Sequence, residues 1–418
     1  MKIIADLHMH SHYSRATSKN MNIENIDKYA KIKGINLVGT GDFTHPLWFK
    51  EMKSLLREHE PGIYKYKSDI NYMLTAEISL MYTQDGHGRR VHFVILAPNF
   101  DIASQITEWL KTKGRVDYDG RPIFGFSAIE FTEAMMKISK DIMLIPAHIM
   151  TPWFGILGSK GGFNSIEECF QDQTKHIHAL ETGMSADPAM LWRISSLDKF
   201  SLVSNSDSHS YYSWKLGREA NVFDCKMNYK EIIDAIIKRD KRFLYTIEVD
   251  PAYGKYHWDG HRACNVFMNP KESKKLHKIC PVCHKEMTIG VEYRIEELAD
   301  RKEGFVPKGS IPFKKLLPLA ELIAAAYNTQ PGTKKVFIDL DKLTNEFGSE
   351  LNVLLEADEH KIKLLVGEKI ADIVMKNRIG SLRVQPGYDG VYGQILLDGK
   401  IKSNIPQKNL KSFLAARS

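Results

Sequence analysis

The sequence predicts an α/β fold in three parts. Residues 1–250 form a β/α barrel, residues 251–303 a small zinc-binding domain, and residues 304–418 a mainly helical, basic C-terminal region. Three observations predict it. Seven short apolar runs in the first 250 residues lead to, or contain, a potential metal ligand. Helical patterns separate several of them, which implies a mostly parallel sheet. Beyond residue 250 the composition shifts to paired His and Cys, then to Leu/Ala-rich periodic segments.

The first run, Ile3-Ile4-Ala5, is a strand that ends in Asp6-Leu7-His8-Met9-His10-Ser11-His12. Side chains repeat every two residues along a strand, so three alternating imidazoles share one face. Neutral imidazole ligates zinc, manganese and iron, and Asp6 is placed to orient one ring. Ile35 to Val38 leads to Gly41-Asp42-Phe43-Thr44-His45, Tyr72 to Ala76 to Glu77, and Asp141 to Ala147 to His148. Ile177 to Leu180 leads to Glu181, and Phe200 to Ser206 to Asp207-Ser208-His209. The run Val91 to Leu96 differs, carrying His92 near its start. Helices are expected over 23–32, 128–138 and 166–170. The stretch 99–126 lacks periodicity and is expected to overhang the site.

Ligand-type residues at the C-terminal ends of strands are what a β/α barrel presents at its active face. His8, His10, His12, Asp42, His45, Glu77, His92, His148, Asp207 and His209 are too many for one zinc, which takes four. They suit two or three divalent cations (Zn, Mg or Mn) bridged by a carboxylate, Glu77, with Asp207 and His148 as further catalytic residues. Clustered cations favour phosphoryl chemistry because they acidify a bound water and neutralise attacking and leaving oxygens.

His261-x2-Cys264 and Cys280-x2-Cys283, fifteen residues apart, form a structural zinc signature. His257, His277 and His284 are alternatives to His261. Cys169 and Cys225 are expected to be ordinary buried thiols. The C-terminal region carries apolar periodicity over 313–327, 351–356 and 367–375, with Gly380 as a stop and 334–343 as a strand or a helix entry. A Gly-rich loop follows, running from Arg383 through Tyr388 to Tyr392 and Gly393.

Charge is uneven. Residues 1–250 contain 31 Lys+Arg and 31 Asp+Glu, so the net +7 arises in residues 251–418, with 27 against 20. A basic second half suits a polyanion. The chain shows no apolar run of membrane-spanning length and no signal peptide, so the expected setting is cytoplasmic and nucleoid-associated, with no membrane partner.

Asp-Leu-His-Met-His at 6–10, Gly41-Asp42, Glu77, His92, His148 and Asp207-Ser208-His209 resemble the PHP (polymerase and histidinol phosphatase) phosphoesterases. That resemblance covers residues 1–250 and implies a distorted (β/α)7 barrel. It also implies His8, His10, Glu77 and Asp207 at one metal, and Glu77, His92 and His148 at a second. A third falls to His12, His209 and either Asp42 or His45. With Lys255-Tyr256-His257-Trp258-Asp259-Gly260-His261-Arg262-Ala263-Cys264 and Pro386-Gly387-Tyr388-Asp389-Gly390, the whole chain resembles the endonuclease Q family. The resemblance implies a DNA repair nuclease that cuts 5′ of a deaminated base (hypoxanthine, uracil, xanthine) or an abasic site, leaving 3′-hydroxyl and 5′-phosphate. Its partners would be damaged DNA and replication or repair proteins.

A small-molecule phosphoesterase of the histidinol-phosphatase kind and a non-catalytic DNA-binding module are the alternatives. For reading a flipped base, the aromatic pair Trp153 and Phe154 after His148 is expected, with Arg383, Tyr388 and Tyr392 next.

Overall fold

The computed structural model describes residues 1–406; residues 407–418, the end of the expected helical region, lie outside the described residues. Seven strands make the barrel: β1 (Lys2–Asp6), β2 (Leu37–Gly39), β3 (Asn71–Gln84), β4 (His87–Ala97), β5 (Met143–Pro146), β6 (Ala179–Glu181) and β7 (Ser201–Val203). They coincide with the seven apolar runs. β1 pairs parallel with β2 and β2 with β3. β6 and β7 are parallel, and Ile149 N–H donates to Glu181 across the β5–β6 junction. The ring closes where Met9 bridges Ser208 and His10 N–H donates to the Ser208 carbonyl.

The sheet is mixed rather than mostly parallel. β4 runs antiparallel to both β3 and β5. Its direction comes from Asp85-Gly86, which turns the chain with φ of 52° and 75°. Two consecutive residues of positive φ close a two-residue hairpin, so no helix can intervene. The reversal also explains why His92 lies near the start of its run: an antiparallel strand reaches the active face with its beginning.

The helices over Ile23–Lys33, Ala128–Ile138 and Ile166–Phe170 match expectation, each capped by a side chain: Asn22, Ser127 and Ser165. Half of the stretch expected to be irregular over 99–126 is helix, Phe100–Lys113 (14 residues), capped by Asn99. Its buried residues Ala103, Ile106, Thr107 and Leu110 follow helical spacing, and the irregular part runs from Gly114 to the short strand Ile123–Phe124, which pairs with β3.

Outside the ring, β8 (Ala220–Asp224) pairs antiparallel with β1, and β9 (Phe243–Glu248) antiparallel with β8. Phe313–Lys315 then adds to β9 in parallel. The C-terminal helices Leu319–Tyr327, Lys334–Phe347, Glu350–Leu355, Glu359–Val366 and Glu368–Arg378 pack on Ala220, Val222, Ile247 and Val249, so their core is shared with the sheet. Lys334–Phe347 is a helix, and Glu359–Val366 is an additional one. Lys33, buried beneath this face, donates to Glu350 (2.7 Å) and to the Ser213 carbonyl (2.9 Å).

At the end of β9 the Glu248 carboxyl is fully buried and accepts from the hydroxyls of Thr246, Thr182 and Ser204. Burial pushes it up to about 8. Such a carboxyl keeps its proton in the folded chain after the unfolded chain has lost it. Stability should therefore fall as pH rises from the unfolded value, about 4.5, through the folded one. Glu248→Gln should flatten that fall in urea unfolding measured at about pH 5 and about pH 8. An unchanged slope would place the dependence elsewhere.

Candidate metal centre at the barrel mouth

Strand ends deliver the site. His8 and His10 follow β1, Glu77 lies within β3 and His92 within β4, while His148 follows β5 and Asp207 and His209 follow β7. Glu77 is the common neighbour. Its Oε1 lies 2.8 Å from His92 Nδ1, 3.2 Å from His148 Nε2 and 3.6 Å from His8 Nε2. Its Oε2 lies 3.2 Å from His10 Nε2 and 3.0 Å from Arg121 Nη1. Asp207 Oδ1 lies 3.1 Å from His10 and 3.6 Å from His8. Two groups thus have ligand atoms within 4.8 Å of one another: His8, His10, Glu77 and Asp207; and Glu77, His92 and His148.

The electrostatics suit cations. Burial disfavours the charged form of every group here, and neighbouring charges override it at most of them. At His8, burial is outweighed by Glu181, Glu77 and Asp207, which hold the imidazole well above its usual value. At Glu77, burial is outweighed by His92, Arg121 and His8, which hold the carboxyl well below its usual value. Burial prevails at His92, pushed down to about 4. His8 Nε2 supplies the test of fit: it is buried without a hydrogen-bond partner, yet faces the carboxylates of Glu77 and Asp207. A buried ring nitrogen without a hydrogen-bond partner, facing two carboxylates, fits the role of a metal ligand.

A second layer of carboxylates fixes the rings. His8 Nδ1 meets Glu181 at 3.0 Å, and Glu181 also accepts from His148 N–H (2.9 Å) and Asn205 Nδ2 (2.9 Å). His10 Nδ1 meets Asp42 at 3.0 Å, and the Thr151 hydroxyl lies 2.6 Å from His148 Nδ1. Asp6 does not orient a ring. Its carboxylate is spent on Ser206 N–H, the Ser206 hydroxyl and Gly217 N–H, donors that no strand pairs. Asp42, His148 and Asp207 have φ of 50°, 30° and 46°. Non-glycine residues seldom adopt this region, and here it turns each side chain inward at a strand end.

The residues assigned to a third metal are not brought together. Asp42 accepts from the Ser11 N–H, the Ser11 hydroxyl and the Ser14 hydroxyl besides facing His10, so its oxygens are committed. His45 donates to the Asp117 carbonyl and stacks on Tyr13. His12 faces the Met21 carbonyl, and His209 faces the Asp207 carbonyl with its ring 4.4 Å from His10. Among the described residues, no group of three ligands joins them.

His261, Cys264, Cys280 and Cys283 converge within 4.8 Å, with Cys283 Sγ 3.3 Å from His261 Nδ1. His257, His277 and His284 stand outside this set. His284 has φ of 60°, the conformation that closes the Cys280–Cys283 turn. Cys169 and Cys225 are buried thiols.

The aromatic candidates separate. Phe154 stacks on His92 at 4.3 Å, and Trp153 stands partly exposed against Tyr256 at 5.2 Å. Tyr388 is buried, stacked on Phe267 at 4.5 Å with its hydroxyl donating to Asn265, so its face is already used and it cannot serve as a base platform. Tyr392 is exposed beside Lys255, and Arg383 is exposed.

Sequence reasoning missed Arg121, which lies in an aperiodic loop. It saw Glu181 only as a strand-end acid, and its role depends on a partner 173 positions away.

A sequence-family profile described as the MJ0043 C-terminal domain matches residues 318–381. The uncharacterized protein MJ0043 of Methanocaldococcus jannaschii is 32% identical over 251 residues, 59% of this chain, which spans only 31% of that protein's length. The uncharacterized protein YqxK of Bacillus subtilis is 29% identical over 94% of this chain and 99% of its own. Among solved structures, the lesion-specific endonuclease PfuEndoQ from Pyrococcus furiosus superposes with a TM-score of 0.85 at 32% identity, covering 98% of this chain and 97% of that one. An endonuclease Q complex with a 27-mer duplex bearing an abasic lesion at the active site matches at the same TM-score and identity, over 98% of each chain.

Glu181→Ala should weaken divalent-cation binding about 10–100-fold, because it frees His8 to turn. Calorimetric titration of metal-free protein checks this, and undiminished affinity would remove Glu181 from the centre. Replacing Cys280 and Cys283 together by Ser should cost one bound zinc per chain and expose residues 251–300 to protease. Unchanged zinc content would refute that assignment.

Proposed function

The chain belongs to the endonuclease Q family, and from that premise we propose that it is a metal-dependent DNA repair endonuclease. It hydrolyses the phosphodiester 5′ of a deaminated base or an abasic site, leaving 3′-hydroxyl and 5′-phosphate. The observation that carries the reading is Glu77, a buried carboxylate shared by two adjoining ligand groups at the barrel mouth.

Each of the two groups would hold one divalent cation, and among the described residues no further group of three ligands lies beside them. Divalent cations bound there acidify water and neutralise charge on attacking and leaving oxygens. The protein's own work is positioning. Glu77, Asp207 and His148 are catalytic through the cations they hold, while Glu181, Asp42 and Thr151 fix the rings of His8, His10 and His148. His261, Cys264, Cys280 and Cys283 hold a structural zinc, since three thiolates and an imidazole suit that ion.

Selection among bases follows from the cost of flipping. A weakly paired base leaves the stack more cheaply, by up to a few kcal/mol. Trp153, partly exposed and five residues after His148 in the chain, is the aromatic we assign to meet it. Residues 251–418 carry the positive excess that grips phosphates without regard to sequence. Among the described residues, no helix is long and apolar enough to cross a membrane.

Incubation with duplexes containing deoxyinosine or an abasic site, and separately with phosphate monoesters, tests the reading. Nicking 5′ of the lesion with little monoesterase activity is expected. The reverse pattern would favour a small-molecule phosphoesterase, and binding without cleavage a non-catalytic module. Glu77→Ala should abolish nicking while retaining DNA affinity, as gel shifts would show; near-normal nicking would defeat the two-cation assignment.

A further inference from the structure

The segment Gly41–His45 performs a task that metal ligation would not explain: it seats the loop that follows the helix Phe100–Lys113. His45 Nε2 donates to the Asp117 carbonyl (3.3 Å) and the Thr44 hydroxyl to the Gly120 carbonyl (3.5 Å). Gly120 N–H donates to the Tyr13 carbonyl (3.1 Å). A Cβ on Gly120 would lie 2.3 Å from Asp42 Oδ2 and from the Ser14 hydroxyl, so the backbone approaches as closely as glycine permits. Asp119 Oδ1 accepts from the N–H groups of Arg15 and Arg121, both at 3.2 Å. The loop is thus anchored at Asp117, Asp119 and Gly120, just before Arg121.

Arg121 reaches back to Glu77, Nη1 to Oε2 at 3.0 Å, with its side chain 28% exposed. Among the described residues it is the one Lys or Arg side chain paired with a carboxylate of either ligand group. One end of the guanidinium touches Glu77, and part of the side chain stays open to solvent. Arg218, nearby in the chain to Asp207, is spent on the Ser206 carbonyl.

We infer that Arg121 is a catalytic residue that grips the scissile phosphodiester, and that it shares Glu77 with the cations when DNA is absent. The inference rests on the phosphodiesterase reading above. Glu77 has two oxygens and two ligand groups to serve. Cations held in both groups would draw on the same carboxylate, so Arg121 would compete with them for it. The anchored backbone holds Arg121 beside the two ligand groups, where a phosphate that reaches both must lie. A planar fork of donors matches phosphate oxygens in pairs, and a lysine does not.

The test uses the full chain as Arg121→Ala and Arg121→Lys. Metal-free Arg121→Ala should bind Mn2+ about tenfold more tightly than wild type, at the low end of what neighbours of a ligand set shift. On abasic-site DNA its kcat should fall about 10²-fold with KM nearly unchanged, the scale of losing one preorganised donor. Arg121→Lys should bind Mn2+ as wild type does and recover part of kcat. The same ratios are expected with bis(p-nitrophenyl) phosphate, a diester without bases. Unchanged kcat, unchanged Mn2+ affinity in Arg121→Ala, or a kcat loss that tracks lost metal would each overturn the inference. Should wild type cut no damaged DNA, the nuclease reading fails, while the Mn2+ titration and the small diester still decide the role of Arg121.

Discussion

Everything at the barrel mouth depends on one buried anion. Glu77 sits in the middle of β3 with its side chain fully out of water, a position where an isolated carboxylate would not stay ionised. Four imidazoles and a guanidinium compensate for it, within 2.8 to 3.6 Å. Those partners come from β1, β4, the turn after β5 and the 114–122 loop, so the ring of strands must close in one register for the charge to balance. A slip of one residue in β3 would send Glu77 to the other face of the strand. The two ligand groups are therefore a consequence of folding rather than of a flexible loop collapsing on metal.

A second layer keeps that balance from drifting. Glu181 and Asp42 each hold one ring of the first strand's pair, and neither is available to solvent. Gly183 packs where a Cβ would lie 2.5 Å from that of His148, which pins the left-handed turn carrying that ligand. The uncommon backbone at Asp42, His148 and Asp207 costs folding energy at three strand ends, and the hydrogen bonds converging there offset it. Rigidity of this kind lets cations replace protons on the imidazoles without a change of fold.

Much of this was legible in the sequence, because the barrel writes its pattern in period two. Seven apolar runs became seven strands, and the ligands of both groups lay among the residues those runs lead to or contain. What failed did so for identifiable reasons. The direction of β4 hinges on Asp85-Gly86, a two-residue signal inside a polar stretch that also resembles an ordinary loop. The helix Phe100–Lys113 was hidden because Phe100, Trp109 and Ile102 blur its apolar face. Asp42 and His45 carry ligand chemistry, and only their neighbours show that the first is committed to Ser11, Ser14 and His10 and the second to Asp117. Arg121 left no signal at all, since one arginine in an aperiodic loop resembles any other.

The appendages bear on the same centre through their attachment. Lys33 and Glu350 form a buried pair between the first helix of the barrel and the C-terminal helices, and burial of both charges leaves neither a cheap alternative partner. Arg294, in the segment that carries the His261–Cys283 cluster, donates to the carbonyls of Leu157 and Phe163, in the loop that carries Trp153 and Phe154. Asp389 clamps the Gly-rich turn to the same segment through the Thr288 hydroxyl and Arg262 N–H. The Gly-rich turn, the segment that carries the cluster and the aromatic loop are thus fixed to one another in series, and the last of them covers His92. A surface that grips a long polyanion can direct one bond of it to a metal centre only if surface and centre share a frame. In this chain that frame is made of buried charge and backbone capping, and it runs from the segment holding His261, Cys264, Cys280 and Cys283 to the barrel mouth.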